Sequence, residues 1–130
     1  MSTTPRAPFG AMAERVAVSP RQLIALPDGL DDVTAAALAN PGMSSWAALT
    51  ERAKLKAGEV VLINGATGAA GRLAVQIAKH LGAGKVIATG RNVQALESLR
   101  EIGADETIAL GDSDLDGRLE SVFGAGVDVV

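Results

Sequence analysis

The chain has 130 residues, 48% hydrophobic but only 2% aromatic, so it is long enough for one domain, with a core built from Ala, Val, Leu and Ile. Lys and Arg number 12 against 15 Asp and Glu, a net charge of −3 with no basic block, which argues against nucleic acid as the main partner. The absence of cysteine excludes disulfides, thiolate metal sites and a cysteine nucleophile within these residues. No apolar run approaches a membrane span and Met1–Arg6 lacks the apolar segment of a signal peptide, so a cytoplasmic protein with a small-molecule substrate, and no membrane partner, is expected.

Residues 1–8 read as an extended lead-in. Arg15–Ser19 and Leu23–Leu26, separated by a turn at Ser19-Pro20-Arg21, read as two short strands. Pro27-Asp28-Gly29 marks a turn. Asp31 or Asp32 can cap an alanine-rich helix from Val33 to Ala39, which Pro41-Gly42 is expected to stop. A second helix is expected to start at Ser44 or Ser45 and to run through Trp46 and Leu49 toward Leu55, before a turn at Lys56–Glu59.

Val60–Ile63 is an apolar run of strand length, followed by Asn64-Gly65-Ala66-Thr67-Gly68-Ala69-Ala70-Gly71. Beyond it Leu73, Ala74, Ile77, Ala78 and Leu81 fall on one helical face, with Arg72, Gln76, Lys79 and His80 on the other, until Gly82 ends the helix. Lys85–Gly90 reads as the next strand. Asn92 can cap a helix with Ala95, Leu96, Leu99 and Ile102 as its core stripe, closed by Gly103. Glu106–Leu110 reads as a third strand, Asp112–Phe123 as a partly helical connection and Gly126–Val130 as the opening of a fourth strand. Strands alternating with helices across short loops predict a parallel α/β sheet with right-handed crossovers. A last strand so apolar reads as interior to a larger sheet, and predicts that the chain is part of a longer protein.

Glycines three apart between a strand and a helix suit an anion. The helix start gathers unpaired N–H groups and the positive end of the dipole, and the glycines let phosphate oxygens approach the backbone. Glycine is also the ordinary residue of tight turns, so context carries the argument. A second strand ends about 20 residues past Gly71, where a dinucleotide site reads the ribose. Where an NAD-selective site would put a carboxylate, this chain has Gly90-Arg91-Asn92. A guanidinium pairs with a 2′-phosphate that a carboxylate would repel, so NADP(H) is favoured over NAD(H). The alternative is a solvated arginine beside a helix cap. His80 reads as a surface residue, Met43 and Trp46 as core or domain-seam packing, and Asp112, Asp114 and Asp116 as loop polarity.

The ordered set from Leu55 to Gly71, with Ala74–Lys79 and Leu81-Gly82-Ala83, resembles the medium-chain dehydrogenase/reductase superfamily, and within it the zinc-independent quinone oxidoreductase branch. Leu26–Leu30, Ala35–Leu38, Gly42–Trp46 and Ile102–Glu106 match the same pattern in order. The resemblance implies a partial Rossmann fold over residues 56–130, the first half of a doubly wound parallel sheet, preceded over residues 1–55 by a short β/α part of a catalytic domain. It implies that Ala66, Thr67, Gly68, Ala69 and Ala70 line the pyrophosphate and that Gly90, Arg91 and Asn92 surround the adenosine 2′-phosphate. Ser44 takes the place of a threonine near the nicotinamide, or else is a helix cap; Gly71 serves close packing. A homodimer is implied for the full-length protein, and a fragment alone is expected to be inactive. The implied activity is NADPH-dependent hydride transfer to a quinone, enone or related carbonyl, with no residue here standing out as acid or base. A zinc-dependent alcohol dehydrogenase of the same superfamily and a non-catalytic NADPH-sensing protein are the rival readings.

Overall fold

The computed structural model describes residue 10 and residues 12–130; the lead-in expected over residues 1–8 lies outside the described residues. The chain divides into two compact units at Ala39/Asn40. In the first, no β ladder forms over residues 15–26 among the described residues, contrary to the two strands expected there. Ser19 and Leu23 do have extended backbones, but a 3₁₀ turn, Pro20–Gln22, lies between them. Alternation selects an extended conformation, which Ser19 and Leu23 keep, but Pro20 at the start of the turn favours the 3₁₀ bend between them. Asp31 is the helix cap: its carboxylate accepts from Thr34 N–H at 3.0 Å and from Thr34 Oγ1 at 2.6 Å. These bonds hold the Asp31 carboxyl below its ordinary pKa.

Helix α1, Asp32–Ala47, runs on through Pro41, so the expected stop at Pro41-Gly42 and the separate start at Ser44 or Ser45 are both corrected. It continues into a wider π turn, Ala48–Arg52. Proline inside a helix costs about 3 kcal/mol or more, and packing offsets it. Gly42 lies close over Leu73, a Cβ there falling 3.9 Å from Leu73 Cδ1, Leu49 is buried in the core, and Ser45 Oγ lies 2.8 Å from Ala70 O and 2.9 Å from Pro41 O.

The second unit is built on a parallel sheet of β1 (Val60–Ile63), β2 (Lys85–Gly90) and β3 (Glu106–Ala109), in the order β1-β2-β3. Val60 pairs with Lys85 and Ile87 with Glu106. Helices α2 (Ala69–His80) and α3 (Val93–Glu97) make the crossovers, and α4 (Leu115–Gly124) follows β3. Alternate strand residues serve opposite faces. Val61, Ile63, Val86 and Ala88 pack with Val75, Ala78, Leu96 and Leu99, whereas Leu62, Ile87 and Ile108 pack with Val122 of α4. Both faces are therefore covered, which explains the near-continuous apolar strands.

The expected fourth strand is a single parallel bridge, Val61 to Val129, reinforced by Leu62 N–H to Val129 O at 2.8 Å and Asp128 N–H to Val60 O at 2.9 Å. It lies on the side of β1 away from β2, so the sheet reverses direction of growth at β1. Ligands of open α/β sheets bind at the carboxyl ends of strands beside such a reversal.

Candidate functional site

The turn after β1 is shaped by three different backbone requirements. Gly65 adopts φ +68°, which a side chain disfavours. Gly68 is the N-cap of α2 in an extended conformation, accepting from Arg72 N–H at 2.9 Å. Gly71 has no room for a side chain, because a Cβ would stand 2.5 Å from Ala66 Cα and 2.6 Å from Gly65 O. The packing role expected of Gly71 is thus visible in its contacts. Outside Gly68 the space is open, a Cβ meeting only Gly65 O at 3.7 Å.

The five residues expected along the pyrophosphate divide here. Gly68, Ala69 and Ala70 are exposed, Thr67 is half-buried and Ala66 is fully buried. Ala66 also donates its N–H to Thr89 O at 2.9 Å. Its part is therefore to fasten the turn to β2, and its side chain is not on the surface a ligand would meet. The N–H groups of Ala69, Ala70 and Gly71 have no acceptor among the described residues. They are the unsatisfied donors of a helix start.

Strand β2 ends directly against this turn. A Cβ on Gly90 would lie 3.0 Å from Thr67 Cγ2 and 3.3 Å from Leu96 Cδ2. Arg91 follows, exposed and with no ion pair or hydrogen bond among the described residues. Asn92 is the cap of α3, its Oδ1 accepting from Ala95 N–H at 3.0 Å. Arg91 opens onto a cleft of ≈ 440 Å³ that includes Val93, Gly111, Asp112 and Arg118. Arg118 is engaged elsewhere, donating to Thr107 O at 2.9 Å and to Asp112 Oδ2 at 3.4 Å. The backbone N–H of Asp114 and the Arg118 guanidinium hold the Asp112 carboxyl below its usual range. Within this cleft Arg91 is the uncommitted cation.

Ser44 lies elsewhere, along a second cleft of ≈ 410 Å³ with Ser45, Leu49, Asn64, Ala70 and Gly71. It is not a cap but an interior residue of α1, donating Oγ–H to Asn40 O at 2.9 Å. The structure therefore groups Thr67, Gly90 and Arg91 on one side of the turn and Ser44 on the other, with Ala70 and Gly71 facing Ser44. Ser45, Asn64, Gly111 and Arg118 were missed from sequence. Asn64 and Gly111 could have been found, because both follow the carboxyl ends of parallel strands. Met43 and Trp46 are 66% and 45% exposed, so neither belongs to the core, the first of the two packing roles expected of them. His80 is exposed, its ring 6.3 Å from that of Trp46.

Comparison with known proteins bears on the family and the fold. The family of zinc-binding dehydrogenases matches over residues 69–130. A probable quinone oxidoreductase of Leishmania amazonensis is 33% identical over 94% of this chain and 35% of its own length. The quinone oxidoreductase of Thermus thermophilus, known also in complex with NADPH, superposes with a TM-score of 0.80 at 33% identity, over 96% of this chain and 40% of that one.

The chain belongs to the medium-chain dehydrogenase/reductase superfamily, in its quinone oxidoreductase-like branch.

A 2-haloacrylate reductase of Burkholderia sp is a further relative, 36% identical over 95% of this chain and 38% of its own length. The chain thus spans little more than a third of the two curated relatives. The partial Rossmann-like α/β fold is that of medium-chain oxidoreductases. The zinc in the family's description finds no donor set here: the chain has no cysteine, and among the described residues no three of His, Asp and Glu gather.

Proposed function

We propose that this chain forms the adenosine and pyrophosphate side of an NADP(H) site in a reductase acting on quinones, enones or related conjugated carbonyl compounds. The observation that carries the reading is Arg91, an exposed guanidinium with no ion pair among the described residues, at the end of β2, where NAD selectivity would require a carboxylate. In this reading Arg91 pairs with the 2′-phosphate, Gly90 and Asn92 shape its surroundings, and the N–H groups of Ala69 and Ala70 meet the pyrophosphate beside Thr67 and Gly68. Ala66 contributes by anchoring the turn. Ser44, with Asn64, lies along the other cleft, on the side where the nicotinamide would be held.

When bound, NADPH supplies hydride for an electrophilic carbon of the substrate. The protein's own contribution is to orient the reactants and exclude water, which can lower a barrier by several kcal/mol, on the order of 7–11 in the best-oriented cases. The names of the relatives, a quinone oxidoreductase and a 2-haloacrylate reductase, support the substrate class.

The test is Arg91→Ala in the intact protein. Calorimetry should find NADPH binding weakened by about 1–3 kcal/mol more than NADH binding, the scale of a lost charged hydrogen bond. Equal losses for the two cofactors would remove Arg91 from the 2′-phosphate.

A further inference from the structure

Arg72 stands in the first turn of α2, its backbone N–H bonded to Gly68 O. Its side chain turns toward α3. Nη1 donates to Ser98 Oγ at 3.1 Å, and that hydroxyl donates to Ala95 O at 2.8 Å. The N–H of the same Ala95 donates to Asn92 Oδ1. A path of three hydrogen bonds therefore runs from the helix that opens at the glycine turn to the residue next to Arg91.

That path matters because α3 has only five residues, Val93–Glu97. A helix so short does not hold itself together in water, and its direction is set by what it touches. One contact is apolar: Leu96 is buried beside Gly90. On the β3 side, Glu97 accepts from Thr107 Oγ1 at 3.1 Å, and Leu99, just past the helix, is completely buried. The Arg72–Ser98 bond, one residue past the end of α3, is the side-chain hydrogen bond that ties this segment to α2. No carboxylate pairs with Arg72 among the described residues, so its guanidinium is committed to this neutral hydroxyl alone.

We infer that Arg72, acting through Ser98, is a positioning residue that holds α3 and its Asn92 cap beside Arg91, and thereby sets the preference for NADPH over NADH. The inference rests on the reading of Arg91 given above. It assigns to Arg72 no contact with the cofactor.

The experiment measures dissociation constants for NADPH and NADH in the intact protein and in Arg91→Ala, Arg72→Met, Ser98→Ala, the Arg72→Met/Ser98→Ala double variant and Ser98→Thr. Arg72→Met and Ser98→Ala should each lower the NADPH preference by a similar factor, between about 2-fold and 30-fold, the span of indirect couplings. The double variant should lose no more than either alone, since both break one link. Ser98→Thr, which keeps the hydroxyl, should retain the preference, and this separates positioning from a general loss of packing. A fall in Arg72→Met with none in Ser98→Ala would mean that Arg72 touches the phosphate itself, and would overturn the inference. So would an unchanged preference in both, if Arg91→Ala lowers it. An unchanged preference in Arg91→Ala would overturn the NADPH reading first and this inference with it.

Discussion

Alanine at position 71 would place its Cβ 2.5 Å from Ala66 Cα, 2.6 Å from Gly65 O and 2.9 Å from Ala66 C. All three are backbone atoms, and the turn that carries them is tied on its other side by the Ala66 N–H bond to Thr89 O. No side-chain rotation relieves the overlap. The first turn of α2 would have to retreat by roughly an ångström, since ordinary contacts begin near 3.4 Å. Retreat loosens Val75 and Ala78, which are completely buried against the sheet. Overpacking of this kind costs about 1–3 kcal/mol, and the better helix propensity of alanine returns at most about 1 kcal/mol. Gly71→Ala should therefore lose about 1–2 kcal/mol, read in urea unfolding as a lower midpoint at unchanged slope. Gly68→Ala is the matched control. Its φ of −76° suits any residue and its Cβ would meet only one atom, at 3.7 Å, so its stability should stay within about 1 kcal/mol of wild type. An undiminished midpoint in Gly71→Ala, or an equal fall in both variants, would refute the assignment of close packing to Gly71.

Asn92→Ala removes the side-chain acceptor for Ala95 N–H and should lower stability by about 1 kcal/mol, measured by the same unfolding experiment; no change would mean that the cap is dispensable. Asp105 bonds Val86 N–H at 2.7 Å and pairs with Lys79 at 2.6 Å. Partial burial pushes the Asp105 carboxyl up, but the Lys79 ammonium and the Val86 N–H outweigh it and hold the pKa below the ordinary value. A depressed carboxyl pKa stabilises the fold above the unfolded pKa of about 3.9, and that contribution disappears as pH falls through the folded value. Asp105→Asn should accordingly flatten the fall in Tm below about pH 4, and parallel acid profiles for the two proteins would contradict this.

Much of the sheet was legible because its signals are local. Val60–Ile63 and Lys85–Gly90 have the bounds that their apolar runs suggest, and Gly82 and Gly103 close their segments at φ +90° and +115°. Asp31 and Asn92 cap helices through their own side chains within three residues, and such short-range chemistry is visible in any sequence. The chain alone also determined that a cation directly follows the second strand, because position after a strand and residue type suffice for that.

Only the tertiary structure decided the remainder, and in each case the reason is a partner distant in sequence. Pro41 interrupts local hydrogen bonding, yet α1 continues because Leu49 and Ser45 find partners on the sheet and on α2. Residues 15–26 alternate like strands, but among the described residues they form a 3₁₀ turn and no ladder. Ala66 looks like its small neighbours until Thr89, 23 residues later, takes its N–H. The glycine turn is readable as an anion site from spacing, whereas its division into two clefts depends on which helix packs on each side of it. Arg72 is the sharpest example: one arginine on a polar helix face in sequence, and in the folded chain a donor to Ser98 Oγ, 26 residues later, just past the end of α3.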